Sequence, residues 1–525
     1  MVKQSEKNGN GRKFNTQQSL DGYIKSVCDI MRRSNCAGAL QYVPEVTWIL
    51  FLRILDEQEQ QGAEQAEAVG ADFTYSLESP YRWHDWAAPF DEKKYSPLPQ
   101  RDGLTQGWKR QELQASQTDA FYDFVNKTLL PYLKTLHTNP KATPRQKVIS
   151  QILSSIDRTR IDTEKNLLDI LDLVHEISSQ TVDDTHIYTL SQVYEGLLLK
   201  MGEKGNDGGQ FFTPRIVVRA MIQAIDPQIG ETVYDAGCGT GGFLAQAYEY
   251  MAGSNNSNIQ TADNLTTLKT KTFYGREKDN AVYPIALANL ILHGIDHPHI
   301  WHGNTLTNAE AYGGLFSGAP GLFDIALMNP PFGGKEGKEA QTNFPYKTSS
   351  TQVLFVQHVL NSLKPKGRCA IVLDEGILFR NNETAFVQTK RKLLDDADVW
   401  CILSLPGGVF TSAGAGVKTN LVFFNKGQST ERIWYYDLSN LKVAKKSPLT
   451  LDHFADFFKL LPTRADSDRS WTITRDEIEA KNYDIKAVNP NAKTNEDTRT
   501  PEDLLAVIEA KGKEVHQALV ALRGM

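Results

Sequence analysis

Between residues 231 and 425 the sequence alternates between short apolar runs and longer segments of helical period. The runs fall at 231–234, 272–276, 299–301, 322–328, 368–373, 399–405 and 419–425. They are too short for helices and too continuously apolar for strands with one wet face, so they read as strands buried on both sides. Alternation of this kind packs as an α/β doubly wound sheet, here of about seven strands, with 432–438 as a further edge strand. Sheets of this class bind ligands beyond the carboxyl ends of their strands. The residues that follow each run are therefore the candidates for chemistry.

After the run 322–328 stand Asn329, Pro330, Pro331 and Phe332. Two prolines fix φ and stiffen the turn. A stiff turn can present the Asn329 side-chain oxygen and the Pro330 carbonyl as two acceptors to a planar amino group. Phe332 is placed to stack on the ring that carries that group. This is the equipment for methylating an exocyclic amine such as adenine N6. The amine lone pair is delocalised into the ring, and two hydrogen bonds from its N–H groups would localise it for in-line attack. No general base is required, because positioning and preorganised dipoles supply the stabilisation. A polar turn between strand and helix would look similar if read alone.

The first run ends in Asp235 and a glycine-rich turn, Gly237, Gly239, Gly241 and Gly242, that leads into a helix over 243–251. Glycines let backbone approach a ligand and accept φ above zero. Many nucleotide cofactors use such a turn. Asp235 narrows the choice, since a carboxylate would repel a pyrophosphate but suits the cationic methionine end of S-adenosylmethionine. A Walker-type Gly-Lys-Ser/Thr is also missing. Glu277, after the second strand, has the position of a ribose-binding acid. Asn304, after the third, has that of an adenine-contacting residue. Ahead of the sheet, Phe212, Thr213 and Pro214 open a helix over 216–225, with Thr213 as its cap and Pro214 at its first position. They either close over an adenosyl group or simply begin the helix.

The remaining chain is organised around this unit. Residues 1–19 read as a disordered lead-in without signal-peptide character. Residues 20–180 read as an all-helical domain, with an apolar helix near 46–55 buried in a bundle and a Trp-, Tyr- and Pro-rich excursion over 78–104. The catalytic unit is expected over 181–445 and a C-terminal region over 446–525. That region ends in a charged helix, 501–522, whose apolar stripe suits a partner. Residues 252–270 read as a polar surface loop. The loop 333–350, with Lys335, Lys338, Lys347, Phe344 and Tyr346, either meets a flipped nucleotide or is an ordinary solvated loop. Basic residues over 141–147 and at 158–160 either meet phosphates or form a solvated helix face, the second being the more ordinary use of such residues.

Bulk properties set limits. With 525 residues the chain exceeds one ordinary core. Five scattered cysteines lack zinc-ligand spacing and no metal is expected; they fit a reduced, cytoplasmic setting. No apolar run is long enough for a membrane span. A net charge of −6 argues against gripping nucleic acid over the whole surface.

Taken in order, Phe212-Thr213-Pro214, Asp235 to Gly242, Asn329 to Phe332, Leu405-Pro406-Gly407-Gly408-Val409-Phe410 and Lys418-Thr419-Asn420 resemble the modification subunits of type I restriction–modification systems, in the gamma group of adenine-N6 DNA methyltransferases. The resemblance covers nearly the whole chain. It implies a Rossmann-like, seven-stranded methyltransferase sheet with a helical N-terminal domain and a C-terminal helical tail. It implies that Asn329 and Pro330 hold the target N6, that Phe332 stacks on a flipped adenine, and that Asp235, Gly237, Gly239 and Glu277 line the S-adenosylmethionine pocket beside Phe212 and Thr213. One departure stands out: many relatives carry an acid where this sequence has Asn304, which predicts weaker cofactor binding. The resemblance also implies partners: double-stranded DNA, a specificity subunit that reads it, a second copy of the chain in a complex of two modification subunits with one specificity subunit, and a restriction subunit. The short, polar stretch after the last sheet strand leaves little room for a base reader, which agrees. Two other readings compete: a methyltransferase acting on an RNA base or a protein glutamine, and a catalytically silent scaffold that clamps DNA.

Overall fold

The computed structural model describes residues 17–178, 213–491 and 501–523, except 35, 37–38, 96–104, 313–314, 317, 411–417, 444–446 and 487. Phe212, among the expected cofactor residues, lies outside the described residues.

The N-terminal part is built on the helix Ala39–Ala68. Trp48, Ile49, Phe51 and Ile54 are apolar on all sides of its middle turns and are buried there, as a helix without a polar face must be. Pro144–Leu153 starts at a Thr143–Gln146 capping box, and Glu164–His175 starts at Thr163, whose hydroxyl accepts from Asn166 N–H. The expectation of an all-helical unit needs correction. A two-stranded antiparallel ribbon, β1 (Asp91–Tyr95) with β2 (Thr105–Gln106), sits in the excursion after the short helix Trp83–Trp86.

Among the described residues the large sheet has ten strands rather than about seven: β3 (Val233–Asp235), β4 (Phe273–Glu277), β5 (His299–Asn304), β6 (Ala309–Tyr312), β7 (Phe323–Met328), β8 (Leu363–Asp374), β9 (Ala397–Ser404), β10 (Thr419–Lys426), β11 (Arg432–Asp437) and β12 (Ser470–Thr474). Their order is β12-β11-β9-β10-β8-β7-β3-β4-β5-β6. The pairs β3–β4, β4–β5, β3–β7 and β7–β8 are parallel. β11 is not the edge, because β12 pairs antiparallel on its outer side. After β6, which pairs antiparallel with β5, the chain returns to the other flank of β3, so β3 and β7 meet where the strand order reverses, the place where such sheets open a crevice.

The amino ends of these central strands are tied together. Asp324 accepts from Thr232 N–H and hydroxyl, at 2.9 and 2.7 Å, and pairs with Lys364 at 2.8 Å. Arg368 holds Glu231 at 2.7 Å. The two faces of the sheet carry two hydrophobic clusters, and one of them continues into the N-terminal helices. Polar ties reinforce that junction: Gln58 donates to the Leu292 carbonyl at 2.8 Å, and Arg145 pairs with Asp296 at 2.5 Å.

The polar stretch expected as a loop over 252–270 contains the helix Ala262–Thr270. Thr261 caps it, Leu268 is buried beneath it, and Thr266 and Thr270 return their hydroxyls to carbonyls four residues back. Composition misleads here because those hydroxyls bond inside the helix. The C-terminal helix Pro501–Arg523 leaves Leu505, Ile508, Val515 and Leu519 exposed. Among the described residues no helix is long and apolar enough to cross a membrane.

Candidate active site

At the junction of β3 and β7 lies a cavity of about 400 Å³. One lobe is formed by the turns after β3, β4 and β5. The other is formed by the turn after β7. Of the residues picked out from the sequence, Thr213, Asp235, Gly237, Gly239, Gly242, Glu277, Asn304 and the whole segment Asn329 to Phe332 line it. Pro214 and Gly241 are not on its wall.

Two buried carboxyls define the first lobe. Asp235 accepts from Gly237 N–H at 3.2 Å. Glu277 accepts from Gly239 N–H at 2.9 Å through one oxygen and from Asp279 N–H at 2.8 Å through the other. Burial pushes Asp235 up to about 8, helped by the neighbouring Glu277 charge. Burial likewise pushes Glu277 up to about 7. A cation entering the lobe would relieve both penalties. Gly241 shapes the lobe from behind. Its φ is +78°, and a Cβ there would meet Leu290 Cγ at 3.2 Å, so a side chain would be strained both in backbone and in packing. Asn304 is on the wall, but its Oδ1 already accepts from Leu306 N–H at 3.0 Å. The residue therefore braces its own turn.

Thr213 does not cap the helix that follows. That helix is Arg215–Ile225, with Pro214 in the cap position and no side-chain cap bond. The Thr213 hydroxyl instead accepts from Asn329 Nδ2 at 3.1 Å. The hydroxyl thus finds its donor across the cavity rather than in the first turn of the helix. Asn329 Oδ1 is shielded from solvent and has no hydrogen-bond partner among the described residues. Buried acceptors are nearly always satisfied, so an orphan in a cavity marks a place for a donor.

The Pro330 carbonyl receives Gln352 Nε2 at 3.4 Å, and Gln352 Oε1 accepts from Asp374 N–H at 3.3 Å. Phe332 is half-buried and meets Phe410 edge to face, with ring centroids 5.3 Å apart. Sequence reading missed Gln352, Thr351 and Glu336. Thr351 donates to Glu336 Oε1 at 3.2 Å, and both line the second lobe. A polar residue at the start of an otherwise apolar helix, as Gln352 is, was the available signal.

The chain is similar to known proteins over nearly its whole length. Residues 185–499 match the N-6 DNA Methylase family model, and residues 20–174 match the HsdM N-terminal domain. The chain is 31% identical to the type I restriction enzyme EcoEI methylase subunit of Escherichia coli, over 96% of this chain and 97% of that one. A chain from a solved type I R-M system is 34% identical, with a TM-score of 0.67, over 97% of this chain and 98% of that one. The crystal structure of a modification subunit from Vibrio vulnificus YJ016 is 29% identical, with a TM-score of 0.72, over 91% of this chain and 98% of that one. The chain belongs to the N-6 DNA methylase family, as a modification subunit of the type I restriction–modification kind.

Proposed function

We propose that this chain transfers the methyl group of S-adenosylmethionine to N6 of adenine in DNA, with Asn329 to Phe332 as the catalytic segment. The observation that carries the assignment is the orphan acceptor: Asn329, whose Oδ1 is buried without a partner among the described residues, lines the same cavity as Asp235 and Glu277.

The residues fit the cofactor. The glycine turn leaves room for close approach, and the two carboxyls suit a molecule with a cationic end. Bound there, S-adenosylmethionine supplies an electrophilic methyl group. Asp235 and Glu277 hold the cofactor end of the cavity, with Glu277 directed at hydroxyl groups. At the other end Asn329 Oδ1 and the Pro330 carbonyl accept the two N–H groups of the target amine. That draws its lone pair out of the ring, and shielding of Oδ1 from water makes it the stronger acceptor. Phe332, steadied by Phe410, offers a face to the extruded base. The amine loses its proton only after the methyl group arrives, so no strong base is needed.

The chain works in the cytoplasm as part of an assembly. A specificity subunit reads the DNA, two copies of this chain clasp it around that one reader, and a restriction subunit joins the complex. A different acceptor, or a catalytically silent scaffold, is not favoured by the match to DNA methylases. The test is transfer of labelled methyl to adenine in unmethylated DNA, with the chain alone and with its genomic-neighbour specificity subunit. Transfer by the mixture only is expected. No transfer by either, with cofactor still bound, overturns the assignment.

A further inference from the structure

A primary amide has two ends that shape alone does not distinguish: an oxygen that accepts and a nitrogen that donates. For Asn329 the difference decides whether the site works. With Oδ1 toward the target amine the contact is donor to acceptor. With Nδ2 there, two donors would face each other and the N6 lone pair would be left in the ring. Stiff prolines fix the backbone of this turn but leave the rotation of the Asn329 amide free. Something must choose its orientation.

From the contact of Asn329 Nδ2 with Thr213 Oγ1 at 3.1 Å we infer that Thr213 is a positioning residue for Asn329, selecting the amide rotamer that presents Oδ1 to the target amine. The inference rests on the proposed methyl transfer. Two observations on different atoms support it. Nδ2 is engaged by Thr213, and Oδ1 is the atom left buried without a partner among the described residues. Thr213 also lines the cavity, on the segment that enters the helix Arg215–Ile225, so the choice is imposed from outside the β7 turn. The hydroxyl accepts in this bond.

The test uses the complex reconstituted with its specificity subunit, S-adenosylmethionine, and unmethylated DNA. Two quantities are measured: the single-turnover rate of methyl transfer at saturating cofactor, and the cofactor dissociation constant by calorimetry. Thr213→Val keeps the shape and removes the acceptor. The saturating rate is expected to fall roughly ten- to a hundredfold, while the dissociation constant stays within about threefold. Retained cofactor affinity also reports that the variant is folded. Thr213→Ser, which keeps the hydroxyl, should restore the rate to within about threefold of wild type. Weakened cofactor binding with an unchanged saturating rate would make Thr213 a cofactor contact only and overturn the inference. So would a Thr213→Val rate equal to wild type, or a Thr213→Ser rate as low as that of Thr213→Val. A wild-type complex that transfers no methyl to adenine would instead bring down the function on which the inference stands.

Discussion

Glu277 accepts the backbone N–H of Gly239 at 2.9 Å, so the acid at the end of β4 and the glycine turn after β3 are one hydrogen-bonded unit. The carboxylate has two tasks, to brace the turn and to carry charge, and substitution can separate them. Glu277→Gln keeps an acceptor for one N–H and removes the charge. It should retain the fold and weaken S-adenosylmethionine binding about tenfold. Glu277→Ala leaves both Gly239 and Asp279 N–H groups unpaired and should also lower stability by about 1–3 kcal/mol. Calorimetric titration paired with thermal melting distinguishes the two.

The two carboxyls of the cofactor lobe give a pH dependence of definite sign. Asp235 is raised from 3.8 to about 8 and Glu277 from 4.5 to about 7, both chiefly by burial. A folded value above the unfolded one means that the stabilisation is complete below the unfolded pKa and is lost as pH rises through the folded pKa. The cofactor-free chain should therefore melt at higher temperature at about pH 6 than at about pH 8.5. Asp56, buried in the N-terminal domain and raised to about 7, adds to the trend. Binding of the cationic cofactor runs the other way, because it requires ionised carboxyls. Its affinity should weaken as pH falls across the same range, and equal affinity at both ends would refute the arrangement.

Asn329→Ala removes the orphan acceptor and leaves the prolines in place. Methyl transfer should fall by about a thousandfold or more, since the donor–acceptor pairing that localises the amine lone pair is gone. Cofactor binding and assembly with the specificity subunit should persist, as judged by calorimetry and size-exclusion chromatography. Full activity in this variant would sink the catalytic assignment.

Gln352 is buried and joins the Pro330 carbonyl to the Asp374 N–H. Gln352→Leu fills similar space and abandons both groups. A loss of about 1–3 kcal/mol in stability is expected from the unsatisfied N–H. A slower transfer step should accompany it, because the Pro330 carbonyl loses its tether. The cofactor constant should not change. A stability loss with an unaltered transfer rate would confine Gln352 to a structural role.

The strands that lead to Asn329 and Glu277 were legible because β7 and β4 are short, largely buried and followed by unusual turns. What escaped has physical reasons. β6 has a polar, alanine-containing sequence, and β12 reads as Ser470-Trp471-Thr472-Ile473-Thr474; both owe their strand state to a neighbouring edge rather than to local pattern. Thr213 before Pro214 has every local mark of a helix cap, yet its partner is 116 positions away in the chain. Asn304 shows the reverse: its position suggests a long-range contact, while its oxygen serves a residue two positions on. Hydrogen-bond partners of single side chains are settled by tertiary neighbours, which periodicity does not encode.

The ties of Asp324 to Thr232 and Lys364, and of Arg368 to Glu231, all lie at the amino ends of the central strands. Asp235, Glu277 and the segment Asn329 to Phe332 lie at the carboxyl ends. The sheet thus behaves as a vise with a locked jaw and a working jaw. The clamped ends keep β3, β7 and β8 in register. One substitution at Asp324 would loosen three strands together.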